Sequence, residues 1–308
     1  MTMMKALQSQ EMHVYDSLQQ HVDAIDQVAS GEWRMLLHRS ADLTVTVRTI
    51  GDAWLVLTAP LPSLHVVSLS CEDLWTLLEW NGTLPGGVRF ALLPDTRFVS
   101  LQTEIAVDRE TNLTTRVAEA CAGFHAAWIK IHKNKEEQVG KVLTICASSA
   151  SKSACDLPLL CREAEWPFTE RPDGRVVVEL DAPRETAIAT LTQHQGKSVH
   201  IAVALALADA LVHPCRQALG LVLLTVCGVV RMIRAVVEQN EGRPVGRFEV
   251  DFGSTPTATE LAHALSALSV AVRLCGRELQ VLQHDERIAT EYLTLWQMRH
   301  GTQTNFIA

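Results

Sequence analysis

Tyrosine is almost absent from this 308-residue chain, which has only two, and aromatic residues together make up 5%. With few large rings available, the seven tryptophans are the first place to look for an aromatic anchor. Long apolar runs are missing too. The most lipid-like stretch, Gln217 to Val230, is shorter than a bilayer span and is flanked by Arg216 and Arg231. It reads as a buried helix running into a strand. No two cysteines form a C-x-x-C pair. Cys71, Cys121, Cys146, Cys155, Cys161, Cys215, Cys227 and Cys275 therefore read as free thiols, several on apolar helical faces, in a reducing cytosol. An excess of positive charge is also lacking. The net charge of -8 argues against a nucleic-acid partner, whose footprint is a basic stripe, and suits a basic polypeptide. After Lys5 the opening residues turn polar, without the apolar centre of a signal peptide, so a cytoplasmic location away from membranes is expected.

What is present is a foldable composition, 47% hydrophobic and 20% charged, over a length that suits two domains. Val14, Leu18, Val22, Ile25 and Val28 recur at steps of four and three, which predicts a helix ended by Gly31. Strands are expected at Trp33 to His38, Leu43 to Ile50 and Trp54 to Ala59, with short polar turns between them. Ser70 and Asp73 form a capping box for a helix carrying Leu74, Leu77 and Leu78, with Asn81-Gly82 as its stop. Strands at Gly87 to Leu93 and Phe98 to Val107 follow, then a helix from Asn112 through Val117, Cys121, Phe124, Trp128 and Ile131. The order is α-β-β-β-α-β-β-α.

Residues 134–165 read as a junction, and the plan then repeats. Strands are expected at Arg175 to Leu180, Ala187 to Gln193 and Val199 to Leu207, a helix after His213-Pro214, and strands at Val229 to Val237 and Val245 to Phe252. A helix from Thr257 follows, and Ile288, Tyr292, Leu295 and Trp296 suggest one more. Gly86-Gly87-Val88-Arg89-Phe90 lines up with Gly228-Val229-Val230-Arg231-Met232. The spacing of Val117, Cys121, Phe124, Trp128 and Ile131 recurs as Leu261, Leu265, Leu268, Val272 and Cys275. The expectation is an α+β protein with two tandem copies, 1–133 and 166–308, joined by 134–165. Each copy would bury its helices on its own sheet. The first helix of the second copy is not evident; it falls around Glu137 to Ala150 or is lost.

Chemistry is scarce. Gln195-Gly196-Lys197-Ser198 resembles the tail of a phosphate-binding loop, but Leu191 stands where that loop needs glycine, so a hairpin turn is the better reading. His194, His200, His213 and Cys215 are the densest metal-like group and lack a compact zinc spacing. The adjacent carboxylates Glu72-Asp73 and Glu136-Glu137 point in different directions on a helix and make no acid–base couple. Lys130, His132, Lys133 and Lys135 read as a solvated helix end. No catalytic residue, metal or cofactor is expected. A Cys/His enzyme using His200 and Cys215 stands as the third reading, behind a polypeptide binder and a self-associating scaffold or regulatory module. Trp75 and Trp80 are five residues apart and cannot share one core face, so at least one is expected to be partly exposed.

The segment from Trp54 to Lys133 resembles the class I chaperones of type III secretion and the related bacterial sensory-transduction-regulator domain. The resemblance is carried by Leu74-Trp75-Thr76-Leu77-Leu78-Glu79-Trp80-Asn81, then Gly86-Gly87-Val88-Arg89-Phe90-Ala91-Leu92, Val99-Ser100-Leu101, and the helix ending Phe124-His125-Ala126-Ala127-Trp128. It implies strongly curved antiparallel sheets with helices on one side, and a partner that is a secreted, effector-like polypeptide held extended across apolar grooves or along a sheet edge. Those chaperones are small acidic homodimers. With two copies in one chain, the dimer would be internal, a pseudo-dimer, or the chain a homo-oligomer. The expected partner-binding residues are Trp33, Met35, Leu37, Val45, Trp54 and Val56 on the first meander, with Trp75 and Trp80 as aromatic anchors.

Overall fold

The computed structural model describes residues 12, 14–37, 43–51, 53–108, 110–133, 155–181, 187–194 and 198–301. In the N-terminal half a short helix at 14–19 leads into β1 (Val22–Ala29), β2 (Glu32–Leu37), β3 (Thr44–Ile50) and β4 (Trp54–His65). Then come α1 (Cys71–Asn81), β5 (Arg89–Leu92), β6 (Phe98–Ala106) and α2 (Leu113–Lys133). The C-terminal half runs α3 (Leu157–Glu163), β7 (Thr169–Glu170), β8 (Val176–Leu180), β9 (Ala187–His194) and β10 (Ser198–Leu205). It continues with α4 (His213–Val229), β11 (Arg234–Asn240), β12 (Arg243–Phe252), α5 (Ala258–His284) and α6 (Glu286–Gly301).

The class is mixed α+β, as expected, with two six-stranded antiparallel sheets. The first sheet has the order β1-β2-β3-β4-β6-β5 and the second β7-β8-β9-β10-β12-β11. The two orders are the same. Helix α1 starts on the capping box read from sequence: Ser70 Oγ accepts from the Asp73 N–H at 3.1 Å and Asp73 Oδ2 accepts from the Ser70 N–H at 2.9 Å.

Three expectations are corrected. Val22, Ile25 and Val28 belong to a strand, not to the first helix, so the opening meander has four strands instead of three. Register shifts between Val22 and Ala24, and again between Gln27 and Ala29, insert extra residues into β1. A bulge turns the strand's two-residue step into three, which imitates a helix in sequence. Gly31, with φ of 67°, closes the β1–β2 hairpin. Secondly, helix α4 continues through Val229, and the following strand starts only at Arg234. Thirdly, the helix preceding the second sheet is α3, capped by the Asp156 side chain, within the segment assigned to the junction. Residues 134–154, including Glu137 to Ala150, lie outside the described residues.

The expectation that each half buries its helices on its own sheet holds for α2, on β6, and for α5, on β8, β9 and β12, but not for α1 and α4. Helix α1 packs against β11 and α4 of the other half, and α4 packs against β5 and α1. The buried apolar residues of both halves form one continuous cluster. The composition of α4 explains this. It is buried from Ala218 to Leu224 without a polar face, so a single sheet cannot cover it. Glycines let the crossed helices come close. A Cβ at Gly228 would lie 2.2 Å from the Leu92 carbonyl oxygen next to β5, and one at Gly82 would lie 2.8 Å from Val236 of β11. Replacing Gly228 by Ala should therefore force α4 off β5. We expect a loss of about 1–3 kcal/mol, read as a lower midpoint in urea unfolding.

Candidate functional site between the two halves

The inner strands β5, β6, β11 and β12 carry charged residues on faces that the other half covers. Arg89, in β5, and Glu104, in β6, are fifteen residues apart and bonded at 2.8 Å, both essentially without solvent. Arg234, in β11, and Glu249, in β12, repeat the spacing of fifteen and are bonded at 2.7 Å. Each arginine also reaches across. Arg89 Nε donates to the Cys227 carbonyl at the end of α4 at 2.7 Å, and Arg234 Nη1 donates to the Leu84 carbonyl just past α1. The carbonyls at helix ends lack intrahelical donors, so a guanidinium is a suitable partner. Glu104 Oε2 in turn accepts from the backbone N–H of Met232 at 2.9 Å. Met232 takes a φ of 65°, as Gly87 does at 66°. These contacts pair Arg89 with Arg234 and Gly87 with Met232, which corrects the alignment of Arg89 with Arg231 made from sequence.

The second pair gathers two more groups. Glu249 accepts from Arg247 Nε at 2.6 Å and contacts His200 Nε2 at 3.0 Å. Burial alone would raise the Glu249 carboxyl, but Arg234, His200 and Arg247 together hold it at about 2. A third link joins the helix starts. Arg116 of α2 donates through Nε and Nη2 to both oxygens of Glu260 in α5, each at 2.8 Å, and through Nη1 to Ser254 Oγ at 2.9 Å. A cavity of about 40 Å³ lies beside it, lined by Gly86, Gly87, Thr103, Glu119, Asp251 and Phe252 among others. That is room for a few water molecules and no larger ligand. The charged groups of this seam bind one another and the backbone, and their chemistry is that of a joint.

The eight expected binding residues do not come together. Trp33, Met35, Leu37 and Val45 point into the core, each at most 2% exposed. This corrects their placement on an open groove: strand alternation marks two faces but not which one is covered. Trp54 and Val56 lie half-buried on the opposite face of β4, where Trp54 sits 5.0 Å from the His263 ring and 5.2 Å from the Arg231 guanidinium. Trp75 is buried in the seam and donates to the Arg216 carbonyl at 3.0 Å. Trp80 is half-buried between Phe90 and Lys130. One tryptophan of the two is thus partly exposed, as their spacing requires.

His200 spends its Nε2 on Glu249, while Cys215 is buried in α4 with its thiol pushed up by desolvation. Among the described residues no group of three or more His, Cys, Asp or Glu is placed to hold a metal ion. Residues 195–197 of the loop-like motif are outside the described residues, between the paired ends of β9 and β10. One helix, Ala258–His284, is long and apolar enough to cross a membrane by length and composition. The seam residues themselves were missed. Their signal was an Arg that opens one strand and a Glu fifteen residues later in the next, twice over.

No family model matches the chain, and neither a curated protein nor a solved structure matches it.

The seam predicts a definite acid response. Glu249 sits below its ordinary value of 4.5, so its contribution is complete above that pH and fades as pH falls toward about 2. Unfolding followed by circular dichroism should show wild-type stability dropping across that window. Glu249→Gln should flatten that part of the profile and cost about 3–5 kcal/mol at neutral pH, because Arg234 and Arg247 lose their counter-charge.

Proposed function

We propose that the chain is a non-catalytic polypeptide-binding protein of the secretion-chaperone kind, built from two tandem copies of one α+β unit that form an internal pseudo-dimer. The repeated strand order, the repeated Arg–Glu spacing of fifteen and the reciprocal packing of α1 and α4 support the duplication. The observation that carries the binding role is the outer edge of the first sheet. Strand β1 is eight residues long and, among the described residues, hydrogen-bonds on one side only, to β2. Its residues Ala24 and Gln27 to Ala29 are exposed. Such an edge accepts an extended segment by adding a strand, with backbone bonds giving affinity and alternate side chains giving choice. The partner would be a secreted, effector-like polypeptide met in a bacterial cytoplasm.

A second reading has its own observation. Helix α6 exposes Leu295 and Met298, at 66% and 59%, which suits a scaffold or regulatory module that self-associates. Native mass spectrometry of the protein from its own host, with hydrogen exchange, separates the two. The first reading expects one polypeptide at fixed stoichiometry and slowed exchange over residues 22–29. Assembly that leaves 22–29 unchanged and vanishes on removal of residues 285–308 favours the second. A chain that runs alone with neither response defeats both.

A further inference from the structure

Equivalent positions of the two halves face each other across the seam. In α2 the residues Arg116, Val117, Ala120, Cys121, Phe124 and Ala127 are buried, and in α5 the same spacing recurs at Glu260, Leu261, Ala264, Leu265, Leu268 and Ala271. This register gives Arg116 and Glu260 the same place in their helices, and they bond to each other. In α1 the buried Leu74, Trp75, Leu77, Leu78 and Asn81 match Gly220, Leu221, Leu223, Leu224 and Cys227 of α4. Leu74 and Gly220 also meet, since a Cβ built on Gly220 lies 3.0 Å from Leu74 Cβ. Asn81 Nδ2 stands 3.9 Å from Cys227 Sγ. Asn81 and Cys227 do the same task in their own halves, accepting the N–H of Phe90 and of Ala235.

Residues near a two-fold axis meet their own equivalents. Here all three meetings are between unlike side chains: cation with anion, branched chain with none, amide with thiol. Pairing the N-terminal half with a copy of itself would set Arg116 on Arg116 and Leu74 on Leu74. Pairing the C-terminal half with itself would set Glu260 on Glu260 and leave a gap between two Gly220. We propose that the seam is selective, so that each half accepts the other half, from its own chain or from a second copy of the chain, and rejects a copy of itself. The argument rests on the duplication proposed above and is independent of the polypeptide-binding role.

Charge reversal in the full chain tests this. Arg116→Glu and Glu260→Arg should each lower the melting temperature by roughly 10 °C. The double variant should recover at least half of the summed loss. Recovery is incomplete because Arg116 also bonds Glu119 and Ser254, and the Glu260 carboxylate also accepts the Thr257 N–H at the start of α5. When the two single variants are refolded together, unlike charges meet only if chains exchange halves. Native mass spectrometry should then find a mixed dimer that neither variant forms alone. Additive losses in the double variant overturn the proposal. So does a mixture with no more mixed dimer than two differently tagged wild-type chains give. Where the single variants do not fold, co-expression replaces refolding. Soluble protein recovered only from the pair supports selectivity, and insoluble protein from both the pair and the double variant refutes it.

Discussion

Two guanidinium–carboxylate pairs closed off from water, Arg89–Glu104 and Arg234–Glu249, set conditions that the rest of the chain has to meet. Taking such charges out of solvent costs several kcal/mol per ion, offset only when geometry is good and the remaining donors and acceptors are bonded. Each pair meets most of that demand with groups from the other half, the Cys227 and Leu84 carbonyls for the arginines and the Met232 N–H for Glu104, while Arg89 Nη1 and Arg234 Nε stay buried without a partner among the described residues. Neither half could close its inner strands alone without leaving a buried charge short of partners. The polar seam therefore ties the halves together more specifically than apolar area would, because an unbonded ion is penalised far more than a slightly misplaced leucine.

The helices follow from the same constraint. For an arginine on β5 to reach the end of α4, that helix must lie on β5, and the reciprocal holds for Arg234 and α1. Glycines at the helix ends allow the distance, and the apolar girth of α4 supplies the area. The outer strands are left free of these demands. Among the described residues strand β1, at one border of its sheet, pairs only with β2, four strands away from β5 and the charged joint.

Much of the fold was legible from periodicity. The Ser70–Asp73 capping box, most of the antiparallel hairpins and the amphipathic α2 and α5 declare themselves through local spacing, because caps and turns are decided within a few residues. The site was far less legible. Trp33, Met35, Leu37 and Val45 alternate as any core strand does, and alternation does not say whether a face meets a groove or a helix. Val22 and Ile25 misled because a bulge between them shifts the step of β1, and Val28 lies exposed on the same strand. Arg89 resembles Arg231 in sequence because both follow small residues and valine, whereas Arg234 matches it through the carboxylate on the neighbouring strand.

By itself the sequence determined an α+β class, the cap of α1 and most of the helices and strands, all properties settled by short-range geometry and composition. Only the tertiary structure decided that α1 and α4 exchange sheets, that Arg116 meets Glu260, and that the tryptophans expected at a surface are divided between core, seam and rim. Those outcomes depend on contacts between residues more than a hundred positions apart. Their energies arise from burying charge and filling space together, and no local pattern records them.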